Sequence, residues 1–185
     1  MALWGTVVAS TMAASFPRRL SQPGAPVPPS PRTTSVPGGP VSRREVLERA
    51  QLWVTRGVRY FTADGRCPSS APDPNGRRYR TDCSGYVCMA WHAAGEPSTE
   101  RFGDLGGPIH RDELLPGDAL LWAGRGGYGP DGGHVLLFGR WANPERSAYL
   151  GYELSSGARA RNHVLPFPYR AGDARYVPWR YRAVT

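Results

Sequence analysis

The chain changes its grammar once, near Gly95, and no other feature constrains its fold as much. Before that point apolar residues recur at helical spacing. After it come short apolar or aromatic runs separated by turn residues. Ser42-Arg43-Arg44-Glu45 reads as a capping box, in which the serine oxygen and the glutamate close unpaired N–H groups at a helix start. Val46, Leu47, Ala50, Trp53 and Val54 follow at helical spacing, and Gly57 supplies a stop. A polar loop rich in Pro, Asp and Gly runs from Asp64 to about Arg78, and a second helix is expected from Cys83 to Gly95. Strands are then expected over 118–123, 134–141, 148–154, 160–167 and 175–182. Helices first and strands after predict an α+β fold, with N-terminal helices against an antiparallel sheet of about five strands.

The folded domain is expected over 42–185, and two different compositions precede it. Residues 17–41 hold eight of the chain's 19 prolines and no apolar set to bury, which predicts a disordered, extended linker. Residues 1–16, MALWGTVVASTMAASF, are apolar and small but too short to span a bilayer as a helix. They read as a degraded or truncated export signal, because the basic residues that should lead the apolar part follow it as Arg18 and Arg19. A secreted or wall-associated protein without a transmembrane segment is the corresponding expectation, with a cytoplasmic one as the alternative. The net charge of +8 favours an anionic partner such as a wall polymer. The arginines are scattered and do not form the arginine-heavy, aromatic-interleaved patches that would argue for nucleic acid, so a specific nucleic-acid surface is not expected.

The sharpest local signal is Tyr79-Arg80-Thr81-Asp82-Cys83-Ser84-Gly85-Tyr86-Val87. Thr81 or Asp82 can cap the helix, which puts Cys83 in its first turn. There unpaired N–H groups and the macrodipole favour a negative sulfur, and the same groups suit a developing oxyanion. Gly85 would leave the approach to the sulfur open. The competing reading of Cys83 is a small buried hydrophobe.

A candidate base shifts the balance. His92 lies nine residues along the same helix, roughly 13 Å away by helical rise, and cannot pair with Cys83. His110 sits in a polar loop and His163 in an ordinary strand. His134 follows Asp131-Gly132-Gly133 and opens the core run Val135-Leu136-Leu137-Phe138, a suitable place to meet a helix N-terminus. Acyl transfer by cysteine needs such an imidazole and a third group to orient it. Glu153, a charge in an otherwise apolar strand, is the natural third group, and a water-exposed strand-end carboxylate is its alternative.

Asp82-Cys83-Ser84-Gly85-Tyr86-Val87, then Leu115-Pro116-Gly117-Asp118-Ala119-Leu120, then Gly133-His134-Val135, closely resemble the NlpC family of bacterial cell-wall cysteine peptidases. The three blocks stand in the family's order and span most of 42–185. The resemblance implies a papain-like α+β fold and hydrolysis of peptide bonds in peptidoglycan stems, with no metal or organic cofactor. Cys83 maps to the nucleophile and His134 to the base. The place that usually holds an orienting His, Asn or Gln here holds Glu153. The family often uses a tyrosine at the oxyanion site. Tyr60 is the better match and Tyr79 competes, with Asp82 and Ser84 as further oxyanion or substrate residues. The insert that carries Cys67 and Asp73-Pro74-Asn75-Gly76 departs from the family's shorter connection. A monomer is expected. A non-catalytic wall- or partner-binding domain, or a hydrolase or acyltransferase for another amide, are the rival readings.

Two lesser readings concern the remaining cysteines. Cys88 and His92 stand at i,i+4 but lack further ligands, so a buried thiol and a rim histidine are expected there instead of a metal site. Cys67 and Cys88 would be able to pair if the protein is exported. The closing run from Arg175 to Tyr181 reads as an aromatic edge strand, and otherwise as a sugar- or wall-binding surface.

Overall fold

The structure, a computed structural model, describes residues 34–61, 65–125, 132–170 and 173–185. The expected export signal and most of the expected linker lie outside the described residues. Residues 34–41 belong to the folded unit, ahead of the expected start at Ser42. Val41 pairs with Val184 in a parallel bridge, and the Gly38 N–H donates to the His92 carbonyl at 2.8 Å.

Helix α1 spans Arg43–Thr55, and its Ser42 N-cap accepts from the Glu45 N–H at 3.2 Å. The second half of the expected capping box is replaced. The Glu45 carboxylate turns outward from the helix start to take donors from Thr34 and Ser35. Gly57, at φ +60°, ends the helix as expected. Its buried face includes Val46, Ala50 and Trp53, and Trp53 stacks on Tyr86 with 5.8 Å between ring centroids. Full burial of such a side chain is worth roughly 2–3 kcal/mol.

Helix α2 spans Cys83–Ala90 and every one of its residues is buried. It stops short of Gly95 because His92 adopts the left-handed conformation at φ 50°. The turn closes as a Schellman motif: the Ala93 N–H donates to the Cys88 carbonyl at 2.9 Å, and the His92 N–H to that of Met89 at 3.1 Å. An imidazole in place of the usual glycine is tolerated because it is held on both sides. His92 Nδ1 lies 2.7 Å from the Ser35 hydroxyl, and Nε2 3.7 Å from Asp73. Asp73 in turn pairs with the buried Arg49 at 2.7 Å. His92 is therefore a core residue, not the rim histidine expected, and burial followed by the nearby Arg49 charge lowers its pKa.

The expected polar loop over 64–78 contains a hairpin, β1 (Ser70–Pro72) with β2 (Arg78–Arg80). Its turn is an Asx turn in which Asp73 Oδ1 accepts from the Asn75 and Arg77 N–H groups at 2.8 and 2.9 Å. Three-residue strands carry too little alternation to be read locally.

Among the described residues the main sheet has six antiparallel strands: β3 (Gly106–Pro108), β4 (Ala119–Gly124), β5 (Gly132–Trp141), β6 (Ala148–Glu153), β7 (Arg161–Pro166) and β8 (Val177–Tyr181). Their order is β3-β8-β4-β5-β6-β7, so β8 is an inner strand, not the edge strand expected. The α+β class and the antiparallel sheet are as expected, with one strand more. That strand, β3, is Gly-Gly-Pro and has no intrinsic preference for extension. It exists because β8 approaches it so closely that a Cβ on Gly106 would stand 1.9 Å from the Arg180 carbonyl oxygen. Along β5, Val135 and Leu137 join the core shared with the helices. Leu136 and Phe138 join a second cluster with Leu120, Tyr149 and Leu165. Burial of both sets accounts for the unbroken apolar run.

Asp118 fastens these layers together. It is fully buried and accepts from Arg43 at 3.0 Å, from Arg180 at 3.0 and 2.7 Å, and from the Leu115 N–H at 2.8 Å. The Leu115–Asp118 segment thus ties α1 and β8 to the start of β4, a structural role. Among the described residues no helix is long and apolar enough to cross a membrane.

Candidate active site

Asp82, extended at φ −119° and ψ 179°, is the N-cap of α2, and its Oδ1 accepts from the Gly85 N–H at 2.6 Å. Cys83 is therefore the first helical residue, where backbone N–H groups point outward. Its side chain is only 8% exposed, and that exposure opens into a cavity of about 210 Å³. Tyr60, Arg80, Ser84, Thr99, Glu100 and Gly133 are among the residues lining the cavity.

The first turn is braced from the side. The Ser84 hydroxyl donates to Asp82 Oδ1 at 3.0 Å, while Arg80 donates to Asp82 Oδ2 at 2.9 Å and to Ser84 Oγ at 2.9 Å. Arg80 also donates to the Glu96 carbonyl at 2.7 Å. Asp82 and Ser84 border the cavity, yet their side chains are spent on one another and on Arg80. Gly85 does not keep a path to the sulfur open. Its Cα lies against the Arg80 carbonyl, whose oxygen would be 2.2 Å from a Cβ at this position. Of the two tyrosine candidates, Tyr60 lines the cavity. Tyr79 is buried elsewhere, its hydroxyl donating to the Ala93 carbonyl at 3.0 Å, and burial pushes its pKa up to about 12.

His134 enters from β5, beside Gly133, which could carry no side chain: a Cβ there would meet the Thr99 hydroxyl at 2.1 Å and the Ala123 carbonyl at 2.2 Å. The imidazole Nε2 lies 3.2 Å from Glu153 Oε2. The Cys83 thiol stands close enough to the ring to influence its charge, and Nδ1 is the ring nitrogen not engaged by Glu153. Tyr169 and Tyr176 stack on one another at 4.6 Å and hold the imidazole in place, with ring centroids 5.2 and 6.2 Å from it. Burial alone would lower the His134 pKa. Interaction with the neighbouring Cys83, then the hydrogen bond to Glu153 and its negative charge, override it and raise it to about 9.

Glu153 is fully buried, so it is not a water-exposed strand-end carboxylate. Four side chains converge on it. Besides His134, Oε1 accepts from Arg161 Nε at 3.0 Å and faces His163 Nε2 at 2.7 Å, and Oε2 accepts from the Tyr169 hydroxyl at 3.1 Å. Burial opposes ionisation, but the bonds to His134 and Arg161, the His134 charge and the bond to His163 win, and the pKa falls to about 2.

Arg161, His163 and Tyr169 are the site residues the sequence reading missed. Arg161 lies directly across from Glu153 in the β6–β7 register, and His163 is two residues further along the same face. The pattern Arg161-x-His163 opposite an intrastrand carboxylate was the available signal. His110 is remote and exposed, capping the short turn Arg111–Glu113. Cys88 is buried within α2, and burial raises its pKa well above the usual thiol value. Cys67 borders a different cavity, and no disulfide joins the two. No group of three or more His, Cys, Asp or Glu side chains among the described residues is arranged to hold a metal ion.

The pKa shifts carry a stability signature. Glu153, held near 2 against an ordinary 4.5, contributes stability that is present above pH 4.5 and lost as pH falls through 2. His134, held near 9 against 6.5, contributes stability present in full below pH 6.5 and lost as pH rises through 9. Both contributions coexist between about pH 4.5 and 6.5. Denaturation midpoints recorded against pH are expected to fall between pH 6.5 and 9 in the wild type and to flatten there in His134→Ala. An unchanged alkaline limb in the variant would show that His134 is not the group responsible.

Fold and site together define an α+β protein in which a helix N-terminus presents a cysteine, a sheet strand presents a histidine, and a buried carboxylate stands behind the histidine. No family model matches the chain, and no curated protein matches it. A solved structure of an NlpC/P60 family protein from Bacillus cereus ATCC 10987 is similar to it, at 13% identity and a TM-score of 0.48. The similarity covers 78% of this chain and 41% of that one, so this chain spans about two fifths of that protein's length.

Proposed function

We propose that the protein is an NlpC-like cysteine hydrolase, a peptidase or amidase acting on peptide bonds of peptidoglycan stem peptides outside the cytoplasm. The observation that carries this reading is the grouping of Cys83 at a helix start with His134 and the buried Glu153 behind it, at the wall of a polar cavity. The three sequence blocks around Cys83, Asp118 and His134 support the choice of substrate class.

In this mechanism His134 takes the thiol proton, and the Cys83 sulfur attacks the amide carbonyl carbon. The oxyanion is met by the outward N–H groups of the first turn and by the Tyr60 hydroxyl. The C–N bond then breaks, and His134 returns the proton to the departing amine, leaving a thioester on Cys83. Water, deprotonated by the same imidazole, hydrolyses the thioester and restores the thiol. Glu153 fixes the ring so that Nδ1 faces sulfur, and its charge stabilises the imidazolium. A pKa of about 9 for His134 lets the ring hold that proton at neutral pH until the amine departs.

The test is alkylation with iodoacetamide at pH 7, read by peptide mass. Cys83 is expected to be modified at least about tenfold faster than Cys67 and Cys88, and His134→Ala is expected to remove that advantage. Equal, slow modification of all three thiols would defeat the reading. Incubation with purified muropeptides, with cleaved fragments weighed by mass spectrometry, then identifies the bond; intact muropeptides beside a reactive Cys83 would move the substrate to another amide.

A further inference from the structure

A second cavity, of about 350 Å³, lies behind the wall of the first. The two share their partition. Tyr60 and Arg80 face the Cys83 cavity, whereas their chain neighbours Arg59 and Thr81 line the second one. Arg59, Arg66, Arg78 and Arg159 line it, with Cys67 between them and no Asp or Glu among the described lining residues.

Arg59, Arg78 and Arg159 have no counter-charge among the described residues. Arg78 is steadied by Ser70, donating to its hydroxyl at 3.0 Å and its carbonyl at 2.6 Å, and Arg159 donates to the Gly57 carbonyl at 3.2 Å. These contacts fix the side chains without neutralising them. Elsewhere in the chain, arginines at Asp118, Glu153 and Asp73 are paired. Arg59 and Arg159 also stand directly opposite one another in an antiparallel bridge. Like charges in that relation repel and cost stability.

We propose that this cavity is a binding site for a compact anion that carries several phosphate groups. Guanidinium forks match phosphate oxygens in pairs. One phosphate carries at most about two charges, so several guanidinium groups call for more than one. Among the described residues no aromatic ring lines the cavity to stack on a base, and a single-stranded nucleic acid is the poorer fit. The bound anion would also remove the repulsion between Arg59 and Arg159. The site stands apart from the proposed hydrolysis, since none of these arginines touches Cys83, His134 or Glu153.

Calorimetric titration of the full chain with inorganic tripolyphosphate, at fixed ionic strength and on a Cys83→Ser background, tests the proposal. Saturable one-site binding is expected, with orthophosphate weaker by about tenfold or more. Arg59→Gln/Arg159→Gln is expected to weaken tripolyphosphate by about tenfold or more, while melting without ligand at the wild-type temperature or above it. Binding of equal strength in the double variant, no saturable binding, or tighter binding of a single-stranded oligonucleotide than of tripolyphosphate would each overturn it.

Discussion

Glu153→Gln is expected to pull the His134 pKa down from about 9 and to destabilise the chain by about 3–5 kcal/mol, the usual range for breaking a buried ion pair. The reason is the number of groups that depend on one carboxylate. His134, Arg161, His163 and Tyr169 all converge on it, and its two oxygens face them as acceptors. An amide of the same shape offers one acceptor and turns an N–H₂ group toward donors, while the positive charge of Arg161 loses its counterion. NMR titration of the His134 ring proton and urea denaturation read the two effects separately. A variant whose His134 still titrates near 9 would show that Cys83 alone raises it and that Glu153 does not set the charge of the site.

Gly85→Ala has an expected effect of similar size and a different origin. In an isolated helix the change would gain about 1 kcal/mol. Here the new Cβ would sit 2.2 Å from the Arg80 carbonyl oxygen and 2.8 Å from its carbon, both backbone atoms with no rotamer to escape into. Overpacking of this kind costs about 3 kcal/mol and outweighs the helix gain. A fall in melting temperature of about 6–12 °C follows for a chain of this size. The clash falls in the first turn of α2, so the same variant is expected to lose the selective alkylation of Cys83. A variant that melts at the wild-type temperature would mean that the 80–82 segment can move aside at no cost.

The helix and strand positions were legible in the sequence because burial leaves a periodic trace. α1 showed its 3.6-residue spacing, and β4 to β8 showed as apolar runs between turns. The meeting of His134 with Glu153 was legible for a related reason: His134 opens a core run, and Glu153 is a charge set into an apolar strand, where water cannot satisfy it. What was not legible depends on which strand lies beside which. Arg161 and His163 become site residues only through the β6–β7 register, and β3 is extended only because β8 lies against it. Gly85 was misjudged because its role is set by how the chain folds back to lay the Arg80 carbonyl on it, and His92 because its role is set by Asp73, distant in sequence.

The place of β8 in the sheet has a consequence for how the chain is made. Residues 177–181 lie between β3 and β4, joining strands that begin at 106 and 119. A ribosome that has released the chain only as far as β7 has already exposed the cysteine, the histidine and the glutamate. It has not supplied the strand that closes β3 onto β4, nor Arg180, which pins Asp118. Until then one long edge of β4 stays open to other chains. Assembly of the sheet waits on β8 to emerge.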